Sequence, residues 1–295
     1  MKVKHWLVFI LLGAIWSSSF MWIKLALREV SPDVLVAFRV LFGLIFGIIA
    51  ILIMRIPLPR NFKTWRPILI LGITNLAVPF FLISWGEQSV DSSVAAILDS
   101  TVPLFTIFIA HFLLDDDKMT LQKIFGLIVG FTGVVILLSK DISSSSGSML
   151  GQAAVIAASV FYAISGVYAR KMTQDIPGIL RSTGPLLSAS LVMWLAVFTA
   201  GKNVYLPILE ITWIALLFLG VIGSGVAFVL AYYLIHEIGP TRTSMVTYLF
   251  PLGGVILGVI FLHEMMTWQL ITGGLVIISS LIITNLNTTA KKILT

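Results

Sequence analysis

Two apolar stretches of the chain read VPLFTIFIAHFLL (residues 102–114) and FPLGGVILGVIFL (residues 250–262). At a shift of 148 positions Pro103 falls on Pro251, and Asp116, just beyond the first stretch, falls on Glu264, just beyond the second. The shift also aligns identical pairs at Leu71 and Leu219, Gly72 and Gly220, Val78 and Val226, Phe80 and Phe228, Leu82 and Leu230, Leu104 and Leu252, Leu114 and Leu262, and Gly126 and Gly274. A single register across three consecutive apolar segments indicates an internal duplication.

The composition indicates that most of this protein lies in a lipid bilayer. Of its 295 residues, 58% are hydrophobic and 11% are charged, and the mean hydropathy is +1.05. Soluble domains carry about 25% charged residues. A bilayer-spanning helix needs about 20 mostly apolar residues, and such stretches recur from one end of the chain to the other. The sequence therefore predicts an all-α integral membrane protein.

We predict ten transmembrane helices in two halves of five. They lie at about 6–27, 33–54, 66–85, 92–114, 121–139, 150–169, 179–200, 211–234, 241–262 and 268–286. The halves, 6–139 and 150–286, are joined by a serine-rich segment at 143–148. Because five is odd, the second half must be inverted relative to the first, and inverted repeats around a midplane site are typical of secondary transporters. A duplication kept only for stability is the alternative.

The distribution of positive charge predicts the orientation. If the N-terminus is cytoplasmic, fourteen Lys and Arg residues lie in cytoplasmic segments, and Arg28, Lys140 and Lys202 lie in outer segments. Lys and Arg in short loops set topology, so we expect both termini in the cytoplasm of a multi-pass inner-membrane protein. The net charge of +6 is then an orientation signal, and no nucleic-acid partner is expected.

Three segments resemble a known family. Residues 16–20, WSSSF, with Lys24, Pro32 and Arg39, resemble the opening signature of the EamA-type exporters of the drug/metabolite transporter superfamily. Residues 94–138 and 244–283 each resemble the end of an EamA repeat. The resemblance implies ten helices around a central cavity, walled mainly by helices 1, 3, 4, 6, 8 and 9. It also implies export of small metabolites such as amino acids or toxic amphipathic compounds.

Two charges of opposite sign fall inside predicted spans. Arg39 and Asp99 each lie about seven residues from the outer end of a helix, hence ~10 Å deep. A charge near the bilayer centre costs about 2.5–3.5 kcal/mol on insertion scales, so we expect an ion pair. It is either a structural bridge or a functional site, in which Asp99 protonates during the cycle or Arg39 holds a substrate carboxylate.

Further residues are candidates for the cavity wall and for hinges. Trp16, Phe20 and Lys24 follow one another at i, i+4 and i+8 and form one helical stripe; snorkelling to the headgroups is the alternative for Lys24. The full candidate set is Trp16, Phe20, Lys24, Arg39, Asn75, Asp99, Tyr162, Ser165, Ser224 and Thr247, although mid-helix polar groups also serve as interhelical contacts. Pro79, Pro103 and Pro251 are hinge candidates because proline breaks helices.

Enzymatic chemistry finds little support. The chain contains no phosphate-binding GxxxxGK[ST] loop. Residues 115–118, DDDK, resemble the metal-binding motif of membrane prenyltransferases, but Met119 stands where that motif requires an acid. A membrane-embedded enzyme acting on a lipid-linked substrate therefore remains the alternative to a transporter. We expect no metal or cofactor; the lipid bilayer and a small solute are the expected partners, and a monomer and a homodimer both fit.

Overall fold

The computed structural model describes residues 3–114, 119–139, 146–173, 175–200, 206–238, 243 and 245–285. The first half contains α1 (Val3–Ala26), α2 (Pro32–Met54), α3 (Phe62–Leu71), a π-helix (Gly72–Ala77), α4 (Val78–Gly86), α5 (Ser92–Asp99), α6 (Val102–Leu113) and α7 (Leu121–Leu138). The second half contains α8 (Ser146–Met172), α9 (Gly178–Thr199), α10 (Glu210–Leu217), a π-helix (Phe218–Val226), α11 (Ala227–Ile238), a 3₁₀-helix (Met245–Leu249), α12 (Phe250–Leu262) and α13 (Trp268–Asn285). The described part of the chain is thus helical throughout its regular structure. Residues 146–148 of the expected flexible linker belong to α8.

Length and composition of the helices fit a bilayer. Seven helical segments are long and apolar enough to cross a membrane: Val3–Ala26, Pro32–Met54, Phe62–Gly86, Ser92–Leu113, Ser148–Met172, Gly178–Thr199 and Glu210–Leu234. Three shorter apolar helices lie at Ile124–Ile136, Phe250–Leu262 and Trp268–Ser280. Large apolar side chains such as Leu52, Phe198 and Leu121 are mostly exposed on the outside of the bundle. This surface suits lipid and not water.

A π-helical segment interrupts the α-helix in two of the predicted spans. The span expected at 66–85 and the span expected at 211–234 each contain a π-helical segment. At the shift of 148, the first π-segment falls within the second. In the first, Pro79 provides no amide hydrogen for the carbonyl of Asn75. In the second, the hydroxyl of Ser224 donates to the carbonyl of Leu219 at 3.0 Å. Both local causes widen the helix.

The span expected at 92–114 is also broken, between α5 and α6. Pro103 cannot donate to the carbonyl of Asp99, four residues earlier. The hydroxyls of Ser100 and Thr101 donate to the carbonyls of Ile97 and Leu98, each at 2.6 Å, and so provide hydrogen bonds to backbone carbonyls beside the break. The span expected at 92–114 is therefore one apolar segment, Ser92–Leu113, with a break just before Pro103.

The two halves interlock and do not form separate bodies. α7 packs along α13, α2 against α9, α4 against α8, and α5 against α12. Glycines allow several of these helices to approach closely. A Cβ at Gly43 would lie 3.0 Å from the carbonyl oxygen of Gly220, and one at Gly86 would lie 2.6 Å from that of Gly151. Each half therefore buries its apolar surface mainly against the other.

Two carboxylates, one in each half, accept hydrogen bonds from the start of a helix in the other half. Glu29 accepts hydrogen bonds from the amides of Ile208 and Leu209 and from the hydroxyl of Thr212 (2.6 Å), at the start of α10. Glu264 accepts from the amide and hydroxyl of Ser92, both at 2.7 Å, and from the amide of Ser93 at 3.0 Å, at the start of α5. The first amides of a helix lack intrahelical partners and carry partial positive charge. Each half thus completes a helix end of the other.

We expect Gly72→Ala to destabilise the protein. A Cβ at this position would overlap the hydroxyl of Ser188 and the backbone carbonyl of Pro185, and overpacking costs about 1–3 kcal/mol. Unfolding followed by tryptophan fluorescence in detergent measures the loss. Gly166→Ala is the matched control, because nothing lies within 4 Å of a Cβ there. Equal stability of the two variants would contradict this packing.

Glu29→Gln is expected to lower the Tm by a few degrees at pH 7. The hydrogen bond from Thr212 lowers the pKa of Glu29 below its ordinary value of 4.5; burial opposes this, and the amides of Ile208 and Leu209 add to it. Because the pKa is depressed in the folded state, the stabilisation is present above pH 4.5 and is lost as the pH falls through the folded value.

The Tm difference between the parent and Glu29→Gln should therefore shrink below pH 4.5. Glu210→Gln controls for general charge at the same helix start, since Glu210 is an exposed carboxylate in the first turn of α10. A Tm difference that stays constant down to pH 3 would show that Glu29 acts through packing and not through its charge.

Candidate functional site

Arg39 lies on α2 and is 4% exposed. Its guanidinium sits 3.6 Å from the centroid of the Phe80 ring, and its Nε donates to the hydroxyl of Ser224 at 3.1 Å. Phe80 lies in the first turn of α4, directly after the first π-segment, and Ser224 lies in the second π-segment. The two helix interruptions therefore bring a ring face and a hydroxyl to the same buried cation, an arrangement that stabilises a desolvated guanidinium.

Asp99 lies at the break between α5 and α6 and is also 4% exposed. Its Oδ1 accepts a hydrogen bond from the hydroxyl of Ser159 on α8 at 3.2 Å. The same hydroxyl lies 3.4 Å from the carbonyl oxygen of Leu98. A serine of the second half thus contacts both the side chain of Asp99 and the carbonyl beside it.

Arg39 and Asp99 do not form the expected direct ion pair. The side-chain nitrogens of Arg39 and the carboxyl oxygens of Asp99 lie more than 4 Å apart, whereas His5 and Glu237 lie 3.2 Å apart at the opposite end of the bundle. Arg39 lies within electrostatic range of Asp99 and of Tyr162 on α8. The direct pair is absent because Phe80 and Ser224 hold the guanidinium, whereas Ser159 holds the carboxylate.

The aromatic stripe of α1 faces the second half. The indole of Trp16 donates to the carbonyl of Gly223 at 3.2 Å. Its ring packs edge-on against Phe228 and Phe250, with centroids 5.8 and 6.3 Å away. Phe20 packs against the same Phe250 at 5.9 Å. Gly223 precedes Ser224, so this end of the stripe lies close to the partner of Arg39.

The other candidate polar residues lie on α8 and in irregular helical segments. The hydroxyl of Ser165 donates to that of Thr74 at 2.9 Å, in the first π-helix, which also contains the half-buried Asn75. Thr247 is half-buried in the 3₁₀-helix before α12. Ser165 therefore makes an interhelical contact.

The three hinge candidates all lie where regular helix restarts. Pro79, Pro103 and Pro251 occupy the first turns of α4, α6 and α12. They follow, respectively, a π-helix, a break and a 3₁₀-helix. These positions place the least regular backbone next to Arg39, Asp99 and Thr247.

Lys24 does not snorkel outward. Its Nζ donates to the carbonyls of Glu87 and Val90, at 2.5 and 2.7 Å, at the C-terminus of α4, where a cation is favourable. It lies at the wall of a cavity of about 580 Å³ at the end of the bundle where α1 ends. This cavity is separate from the buried Arg39 and Asp99.

Sequence reasoning missed Phe80 as a site residue and missed Glu87 entirely. Phe80 lies 41 positions from Arg39 along the chain, and no local pattern pairs them. Glu87 follows the end of a span and therefore resembles a solvated loop residue, yet it is fully buried. The aspartates at 115–117, by contrast, lie outside the described residues.

Ser224→Ala should destabilise the fold by about 1–3 kcal/mol, because it leaves the buried Nε of Arg39 without its hydrogen-bond acceptor. Unfolding in detergent measures this loss. Ser279→Ala is the matched control, since Ser279 is exposed and its hydroxyl bonds the carbonyl of Leu275 in its own helix. If the two variants are equally stable, the contact between Arg39 and Ser224 does not stabilise the protein.

Comparison with known proteins agrees with this architecture. The profile of the EamA-like transporter family matches residues 4–139 and again residues 149–286. The chain is 24% identical to the "Uncharacterized transporter YoaV" of Bacillus subtilis, over 99% of this chain and 100% of that one. It is 28% identical to the "Uncharacterized inner membrane transporter YedA" of Escherichia coli, over 83% and 78%.

A relative and a solved structure extend the comparison. "Protein PagO" of Salmonella typhimurium is 25% identical over 85% of this chain and 83% of its own. One protein of known crystal structure superposes with a TM-score of 0.72 at 19% identity, covering 97% of this chain and 99% of that one; at this identity the likeness concerns the fold. The two family matches together span nearly the whole sequence. The chain belongs to the EamA-like transporter family and is a multi-pass membrane transporter, not an enzyme.

Proposed function

We propose that this protein is a secondary exporter of small metabolites, such as amino acids or amphipathic organic compounds, working by alternating access. The observation that carries the proposal is the pair of buried charges at the contact between the halves. Arg39 and Asp99 both belong to the first half, and their hydrogen-bond partners, Ser224 and Ser159, both belong to the second. Movement of one half against the other must therefore change the environment of both charges.

The proposed architecture is ten spans in two inverted five-helix halves, 6–139 and 150–286, with both termini in the cytoplasm. Two family matches in one chain support the duplication. The π-segments Gly72–Ala77 and Phe218–Val226, which overlap at the shift of 148, also support it. The distribution of Lys and Arg supports the orientation. A monomer and a homodimer are both compatible with this arrangement.

The proposed substrate path lies between the halves. Trp16 and Phe20 provide an aromatic wall, and Arg39, Asn75, Tyr162, Ser165, Ser224 and Thr247 provide polar groups. Lys24 lies at the outer end of the path. Pro79, Pro103 and Pro251 are the proposed hinges, since hinge motion concentrates in a few residues at element ends. Asp99 is the proposed proton-coupling group, because protonation removes a buried charge and weakens its attraction to Arg39.

Asp99→Asn should abolish the response of transport to a pH gradient. Export of labelled amino acids and drug-like cations from loaded proteoliposomes, with and without the gradient, measures this. We expect the gradient to change the rate of at least one solute in the parent and in the control Glu210→Gln, which alters an exposed carboxylate.

Two results would contradict parts of this proposal. Equal gradient dependence in the parent and in Asp99→Asn would remove the coupling role and leave Asp99 as a structural residue. Absence of flux for every solute in a broad panel would count against export of these compounds.

A further inference from the structure

Glu87 is a buried acid that the proposed transport path does not use. It is the first residue after α4 and has 0% exposure. No described group hydrogen-bonds to either of its carboxyl oxygens. Its main-chain carbonyl, in contrast, accepts a hydrogen bond from Lys24. A buried carboxylate without hydrogen bonds is strongly unfavourable, so this environment suits the neutral acid.

The cavity of about 580 Å³ lies directly beside Glu87. Its wall contains charged and polar groups from α1, the α4–α5 junction and the α12–α13 loop, among them Lys24, Arg28, Glu87, Asp91, His263 and Glu264. The cavity is open, since Arg28 and His263 are exposed, whereas the carboxyl oxygens of Glu87 are sealed from it. The carboxyl group of Glu87 is therefore buried at the wall of an open, polar cavity.

Four charged groups interact electrostatically with Glu87. Lys24 on α1 and Arg39 on α2 attract its ionised form, while Glu264 after α12 and Asp99 on α5 repel it. Lys24 is already held by two carbonyls, and Glu264 is held by the start of α5. Burial raises the pKa of Glu87 well above its ordinary value; Lys24 opposes that shift most, and Glu264 adds to it.

We propose that Glu87 takes up a proton from the solution in the outer cavity and that this protonation is what allows the wall around Glu87 to close. In the closed state one carboxyl oxygen carries the proton and the group is neutral. When the proton returns to water, the carboxylate requires water or the ammonium of Lys24 as a partner, so the wall opens. Because a ligand shifts an equilibrium toward the state that binds it more tightly, low pH favours the closed wall. The assignment of this side to the outside rests on the proposed function.

The absence of cysteine from the sequence permits a direct test. Leu27→Cys places a single thiol in the half-buried wall of the cavity. Ile208→Cys places one at an 89% exposed position near the same end of the bundle. Labelling by a bulky maleimide is followed from pH 5 to pH 9 in nanodiscs, where both faces are accessible. Dividing the first rate by the second removes the intrinsic effect of pH on thiolate content.

The normalised rate at Leu27→Cys should rise roughly tenfold or more across this range, because opening is linked to loss of one proton. With Glu87→Gln added, which keeps the shape and removes the titration, the normalised rate should stay low at every pH. Glu87→Asp should retain a rise, and Glu210→Gln should match the parent.

A flat profile in the parent, or an identical rise in Glu87→Gln, would overturn the proposal. If Glu87→Gln does not fold, Lys24→Met replaces it. Loss of the Lys24 cation favours the neutral form of Glu87, so the labelling rate should begin to rise at a higher pH than in the parent. A rise at the same pH as in the parent would also overturn the proposal.

The test is independent of transport. If the normalised labelling rate depends on pH but no solute is transported, the result would support the role of Glu87 and count against the proposed export. Solute flux that depends on Asp99, together with a normalised labelling rate that does not change with pH, would support the export and refute the role of Glu87.

Discussion

Hydrogen bonds between the halves hold this transporter together, because polar groups removed from water must find partners inside the protein. Arg39 reaches Ser224 and Asp99 is reached by Ser159, each across the boundary between the halves. The carboxylates of Glu29 and Glu264 satisfy helix starts in the opposite half. Within a bilayer an unsatisfied polar group costs several kcal/mol, so neither half is complete without the other.

The same requirement explains the irregular helices. Continuous α-helices would satisfy their own backbones and leave no groups for a site. Here the π-segments and the break after Asp99 expose carbonyls and hydroxyls in the protein interior, where neighbouring side chains compensate them. Non-helical backbone at membrane depth is tolerated when it is buried in protein or lines a cavity. The irregular segments therefore lie where solute contact and motion are proposed.

The duplicated halves have diverged in charge while retaining geometry. Arg39 and Asp99 have Leu187 and Thr247 at the corresponding positions of the second half. The aromatic pair is retained: Phe80 covers Arg39, and its counterpart Phe228 packs on Trp16. The first half thus provides both charges and the ring over Arg39, and the second half provides the hydroxyls of Ser224 and Ser159.

The sequence by itself determined the membrane class, the internal repeat, the family and the presence of two buried charges, because hydropathy, residue spacing and charge distribution are properties of the chain. It also predicted the positions of the apolar helical segments and proline as a cause of breaks, but not the two π-helical segments. Only the tertiary structure decided the partners. Arg39 contacts Phe80 and Ser224 in place of Asp99, Lys24 caps α4 in place of reaching the headgroups, and Glu87 is buried. These contacts depend on how each helix is rotated and placed against its neighbours, which many weak packing contacts fix together and which no local pattern encodes.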